Sequence, residues 1–129
     1  MNKDDLQKRT KAFAIRVFKF LKKLPSGKDA EVISFQLFKA SSSVAANYRA
    51  ACRGRSAPDF LYKLRIVDEE ADESLFWLEF LDELELHKDS IELNNLKREA
   101  QELVSIFSAS IRTLKRKKNE SLTTKAKNS

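Results

Sequence analysis

The sequence predicts an all-α protein, an up-down-up-down four-helix bundle, on three observations. Two Gly and two Pro in 129 residues leave little material for the tight turns of a β fold. Four long stretches repeat apolar residues at alternating spacings of three and four, the period of a buried helix face. The connections between them are short, so consecutive helices lie side by side and antiparallel.

Helix one is expected over Asp4–Leu24, with Leu6, Phe13, Val17, Phe20, Leu21 and Leu24 on one face. Pro25-Ser26-Gly27 ends it, because proline disfavours helix in the residue before it and glycine permits a reversal. Helix two follows over Asp29–Arg53, capped by Asp29, with Ile33, Leu37, Ala40, Val44, Asn47 and Ala51 as its seam. Beside that seam runs a stripe of small residues, Ser43, Ala46, Ala50 and Gly54, predicting close approach of another helix. Gly54-Arg55 breaks the helix. Ser56 caps helix three, Asp59 completes a capping-box pattern, and Pro58 sits harmlessly in the first turn.

Helix three, reaching Glu85, is the element the others are arranged around. Phe60, Leu64, Val67, Ala71, Ser74, Leu78 and Leu81 form one seam, and Lys63, Ile66, Glu70, Glu73, Trp77, Phe80 and Leu84 form a second beside it. So wide an apolar surface needs neighbours on two sides, which predicts self-association. Glu70 and Glu73 interrupt it, and carboxylates leave water only with partners. A polar network with Asn47, Lys63, Lys39 or Arg49, inside one bundle or between subunits, is the expected solution. After the turn His87-Lys88-Asp89-Ser90, helix four spans Glu92–Lys117 on the seam Leu96, Ala100, Leu103, Phe107, Ile111 and Leu114. The bundle domain is thus 1–118. Residues 119–129 lack apolar periodicity and are expected to be a disordered basic tail.

Charge is unevenly spread. The net +6 arises because residues 1–24 carry eight Lys/Arg against two Asp/Glu, and residues 112–129 carry seven against one. The middle is acidic. Up-down-up-down topology gathers the start of helix one, the second turn and the end of helix four at one pole. That pole collects Lys8, Arg9, Lys11, Arg49, Arg53, Arg55, Arg112, Lys115, Arg116, Lys117 and Lys118. The opposite pole receives Asp82, Glu83, Glu85 and Asp89 with Lys22, Lys23 and Lys28.

No catalytic constellation can be assembled. A carboxylate-bridged di-metal bundle needs Glu-x-x-His on two helices, and His87 is the single histidine. Neither a nucleophile–base pair nor a glycine-rich phosphate loop is present, so no enzyme, metal or cofactor is expected. The lone cysteine, Cys52, excludes an internal disulfide and fits a reducing cytoplasm. No apolar run approaches the ~20 residues of a membrane span, and the N-terminus has no signal-peptide core. Phe76, Trp77 and Phe80 read as core or subunit-interface packing ahead of a base-stacking platform.

Gln36, the run Ser43-Val44-Ala45-Ala46-Asn47-Tyr48-Arg49-Ala50-Ala51, Ser56-Ala57-Pro58-Asp59-Phe60, Lys63, Glu70-Ala71 and Glu73 through Trp77-Leu78 share order and spacing with a known group. Over about half its length, counted from these quoted residues, the chain resembles the four-helix-bundle proteins of the 23S rRNA intervening-sequence family. The resemblance implies a cytoplasmic bacterial protein that assembles as a homopentameric ring. It also implies a likeness to the basic accessory protein of diversity-generating retroelements, and hence binding of RNA or DNA. With no base-reading residue in evidence, such binding is expected to run through phosphates at the basic pole and to be steeply salt-dependent. The competing expectation is a structural adaptor whose partner is another protein.

Overall fold

A computed structural model describes residues 1–128, which form four helices: α1 Lys3–Leu21, α2 Lys28–Cys52, α3 Ala57–Glu83 and α4 Ser90–Asn128. Each helix packs on its sequence neighbours, and α4 closes the square against α1; across the diagonal the Tyr48 ring of α2 meets Phe107 of α4 at 5.6 Å between centroids. The α2–α3 interface is the most extensive and α1–α4 the thinnest. This is the predicted all-α four-helix arrangement.

The core is one continuous column. Phe13 and Val17 of α1, Leu37 and Val44 of α2, Leu64, Val67, Leu78 and Leu81 of α3, and Leu93, Leu96, Leu103 and Phe107 of α4 are fully buried. Each such side chain contributes about 1.5–3 kcal/mol of transfer free energy. The buried polar residues are Thr10, Ser41 and Ser74. Each hydroxyl donates to a carbonyl of its own preceding turn, Thr10 to Leu6 at 3.0 Å, Ser41 to Phe38 at 3.3 Å and Ser74 to Glu70 at 2.8 Å. That bond is available to any helical Ser or Thr, so these residues enter the core without a partner from another helix.

Two seams shift phase. On α2 the core position is Tyr48, and Asn47 is half-buried with its amide donating to the Ser43 carbonyl at 2.9 Å. On α3 Leu61 replaces Phe60 in the core. A helix turning 100° per residue puts neighbouring positions on either side of the same edge of the core, so the shape of the space left by the other helices decides which one turns inward. The small-residue stripe is only partly covered within the chain: Ala46 is exposed, and Ser43, Ala50 and, past the end of α2, Gly54 are half-buried.

The helix ends also refine the expectation. Helix α1 starts one residue before the expected Asp4, and Asn2 caps it through a full capping box with Asp5. Gly27 (φ 144°), not Asp29, occupies the N-cap of α2 and provides no side-chain bond. Ser56 accepts from the Asp59 N–H at 3.2 Å, but the Asp59 carboxylate turns to the Arg55 N–H at 3.3 Å, so the box is half-formed. Beyond α3 the chain reverses through Glu85 in the left-handed region (φ 56°), with Leu86 N–H bonded to the Leu81 carbonyl and Glu85 N–H to that of Asp82. These are the two bonds of a Schellman motif. Asp89 then accepts from the Glu92 N–H at 3.1 Å at the head of α4.

The largest difference lies at the C-terminus. Residues 119–128, expected to be disordered, continue α4 as helix, and every one of them is exposed. No glycine or proline lies beyond Pro58 to stop the helix, and Glu120, Leu122, Lys125, Ala126 and Lys127 are good helix formers, so the end of an apolar stripe does not end it. Ser129, the last residue of the expected tail, lies outside the described residues. At 1.5 Å per residue, α4 is about 58 Å long against about 40 Å for α3. It projects beyond the bundle at the pole where the basic segments meet.

Candidate nucleic-acid interface

Helical spacing sets the first basic surface. Lys8 and Lys11 are one turn apart on α1, Arg49 and Arg53 one turn apart on α2, and antiparallel packing brings the two pairs together. With Gln7 and Cys52 they line an open groove of about 400 Å³ that has no acidic residue in its wall. Arg49 and Arg53 also occupy the last turn of α2 and its end, where positive charge complements the helix dipole.

A second basic surface forms on the other side of the pole. Ala57, Pro58 and Leu61 at the start of α3 face Leu114, Lys117, Lys118, Leu122 and Lys125 of α4 across a groove of about 420 Å³. Its floor is apolar and its rim is lysine. Arg112, Lys115 and Arg116 lie on another face of α4 with Asn119 and Glu120. Arg116 keeps only a loose pair with Glu120, 3.9 Å apart, with both side chains in water. Arg55 is exposed in the turn between α2 and α3.

Between the two basic surfaces lies an apolar cleft of about 520 Å³, floored by Tyr48, Phe60, Leu64 and Phe107 and bordered by Met1–Lys3. The Lys3 ammonium sits 4.4 Å from the Phe60 ring centroid, a cation–π contact that ties the chain's start over α3. Burial pushes the Tyr48 hydroxyl well above the usual tyrosine range. Of the cations expected at this pole, the two grooves thus hold Lys8, Lys11, Arg49 and Arg53 on the α1–α2 side and Lys117 and Lys118 on the α3–α4 side, while Arg55, Arg112, Lys115 and Arg116 lie outside both.

Arg9 does not belong to either group. Its guanidinium forks onto Glu99 at 2.8 and 2.6 Å and also reaches Glu102. The hydrogen bond to Glu99, opposed by burial, raises its pKa above the ordinary arginine value. Arg9 is one helical step round from Lys8, which turns it from the α2 side to the α4 side, where Glu99 and Glu102 stand one turn apart. It clasps α1 to α4 across the thinnest helix interface, turned away from the cations of the two grooves. The other ten predicted cations are exposed.

Within one chain, the four residues expected to form a polar network do not meet. Lys63 pairs with Asp59 at 3.3 Å, Asn47 bonds its own helix, Glu73 is exposed and Glu70 is half-buried. Burial, then the nearby Glu73 carboxylate, raises the Glu70 pKa, and Lys39 opposes the shift. Among the described residues, Glu70 has no hydrogen bond or ion pair to its carboxylate. Lys39 is near enough to be felt but not bonded, because antiparallel α2 passes α3 at that level with its lysine in water. Asp68, facing α4, is raised chiefly by burial despite the Ser108 hydroxyl that donates to it at 3.2 Å.

On the outer face of α2 and α3, Val32, Phe35, Tyr62 and Phe76 are exposed. Phe76 stacks on Phe80 at 5.8 Å between centroids, and Trp77 meets both rings edge-on. The Trp77 indole N–H is buried without a partner among the described residues. At the opposite pole, Asp82 takes Lys97 at 2.9 Å and His87 at 3.2 Å, and the Lys97 bond leads in holding its carboxyl below the usual range. No group of three or more His, Cys, Asp or Glu among the described residues is arranged to hold a metal ion. No helix is long and apolar enough to cross a membrane among them either.

Sequence reasoning missed Lys125 and Lys127, which the continued helix carries outward from the same pole. The signal was the Arg116–Glu120 spacing, which supports a helix past residue 118.

No curated relative matches the chain. A solved structure does: a protein of unknown function from the S23 ribosomal protein family of Bacteroides thetaiotaomicron VPI-5482, 27% identical, covering 87% of this chain and 99% of that one, with a TM-score of 0.77. The family model described as 23S rRNA-intervening sequence protein matches residues 2–109, which hold all of α1, α2 and α3 and the first half of α4. With its sequence pattern, its four-helix architecture and this match in agreement, the chain belongs to the 23S rRNA-intervening sequence protein family.

Proposed function

We propose that the protein is a non-enzymatic, homo-oligomeric, cytoplasmic bundle that binds nucleic acid through phosphate contacts at its basic pole. The observation that carries this reading is the pairing of Lys8, Lys11, Arg49 and Arg53 in a groove with no acidic wall, at the same end as the lysine-rimmed α3–α4 groove. Such a surface attracts a polyanion over several ångströms and holds it by counterion release. The family's name refers to sequences within 23S rRNA, which supports RNA among the ligands. A ring of five chains, as the resemblance implies, would repeat the pole around one rim and multiply a weak contact by avidity.

Fluorescence anisotropy with generic RNA and DNA tests the reading. Log affinity is expected to fall linearly with log salt. The Arg53→Glu, Arg55→Glu, Arg116→Glu, Lys117→Glu variant is expected to lose binding with helicity intact. Absence of any retention of RNA or DNA at low salt refutes the proposal.

A second reading, a structural adaptor for another protein, is favoured by the aromatic face on α2 and α3. Phe35 and Phe76 stand in water there, and the Trp77 N–H lacks a partner. Light scattering separates the uses of that face: self-association covers it, whereas a monomer at micromolar concentration leaves it for a different chain.

A further inference from the structure

Resting on the nucleic-acid reading above, we propose that the projecting end of α4 is an arm that enters the major groove of duplex DNA. The arm begins after Leu114, the last half-buried residue of the helix, and residues 115–128 are exposed throughout. At 1.5 Å per residue it runs about 21 Å past Leu114, with the start of α3 flanking one side of it across the groove lined by Lys117, Lys118, Leu122 and Lys125. None of it falls within the residues matched to the family model, which stop at 109.

Three features fit a groove with phosphates on both walls. Lys115, Arg116, Lys117 and Lys118 are consecutive, so steps of 100° distribute their charges around the whole helix rather than along one face. Lys125 and Lys127 continue this at the tip. A helix meant to lie on a flat anionic surface would need cations on one side only.

Size selects the duplex. A helix about 10–12 Å across enters the ~12 Å major groove of B-form DNA. The deep, narrow major groove of A-form RNA does not admit it. Ser121, Thr123, Thr124 and Ala126 keep the tip slender. Their hydroxyls suit phosphate oxygens and carry no base-edge code, so binding is sequence-tolerant.

Stability points the same way. A free-standing helix of this length is marginal in water, and adjacent lysines repel one another. Phosphates on both sides remove that repulsion, so DNA holds the arm helical.

The test is anisotropy with the full chain and four probes of one sequence: duplex DNA, duplex RNA, single-stranded RNA, and duplex DNA whose cytosines carry bulky 5-substituents that fill the major groove. Duplex DNA is expected to bind tightest, with the groove-filled duplex reduced to the level of duplex RNA. Thr124→Pro keeps every charge but breaks the arm, and is expected to abolish the preference for duplex DNA while the urea midpoint stays fixed. Lys125→Ala with Lys127→Ala is expected to lower the salt slope by about 1.8 and weaken duplex DNA binding about 30-fold at 0.15 M salt. Equal affinity for the DNA and RNA duplexes, or indifference to groove filling and to Thr124→Pro, overturns the arm while leaving phosphate binding at the pole intact. Failure to bind any of the four overturns both.

Discussion

Removing Arg9 tests whether this arginine clasps α1 to α4 or serves the basic pole. Its guanidinium makes two charge-assisted bonds to Glu99, whose side chain is 15% exposed, and one to Glu102, 60% exposed. The Glu102 bond lies in water and contributes little. Losing the Glu99 fork strands a nearly buried carboxylate, which costs roughly 1–3 kcal/mol. Besides this fork, the thin α1–α4 interface carries the more exposed Arg16–Glu92 pair at 2.8 Å, which leaves the Glu99 carboxylate unpaired all the same. Arg9→Ala is expected to destabilise the fold by about 2 kcal/mol, lowering the urea midpoint by about 1 M at an unchanged slope. Arg9→Met combined with Glu99→Met should recover most of the loss, since the uncompensated charge is then gone. Nucleic-acid affinity and its salt slope should stay as they are. A loss below about 0.5 kcal/mol, the scale of an exposed pair, would refute the clasp, and a reduced salt slope would return Arg9 to the phosphate-binding set.

Three other outcomes follow from local geometry. Glu70 has its pKa raised by burial and by Glu73, so the folded chain binds this proton more readily than the unfolded one. The native state is therefore penalised as pH rises through the ordinary glutamate range and the raised folded value. Glu70→Gln is expected to be more stable than the parent at pH 7, with the difference vanishing at acid pH; urea titrations at several pH values would show it, and a less stable variant at pH 7 would mean the carboxylate has a partner outside the chain. Glu85 holds a left-handed conformation that favours glycine, so Glu85→Gly should stabilise by about 1 kcal/mol in thermal unfolding. A Cβ on Gly54 would stand 2.9 Å from the Ala51 carbonyl oxygen and 2.8 Å from Asp59 Oδ2. The carbonyl is backbone and cannot swing away, so Gly54→Ala should cost about 1–3 kcal/mol, seen as a lower melting temperature.

The sequence by itself determined the four helices, their order and most of the core. Seams such as Leu96, Ala100, Leu103, Phe107 and Ile111 repeat at three and four, and that period has one compact solution when connections are short. It also placed the basic segments at one end, because topology alone fixes which helix termini meet. What periodicity could not settle was phase and partnership. Whether Asn47 or Tyr48 turns inward, and Phe60 or Leu61, depends on which side chain fills the space left by three other helices. Arg9 read like its neighbour Lys8, and only the position of Glu99 and Glu102, some 90 residues away in sequence, drew it across to α4. Glu70 and Glu73 looked like members of a network because they interrupt an apolar stripe. Yet burial belongs to the packed surface rather than to the stripe, and the fold leaves Glu73 in water and Glu70 half-covered beside Lys39. The continued α4 was hidden for the converse reason: an exposed helix has no apolar period to announce it, and only its projection from the assembled bundle gives its charges a place to act.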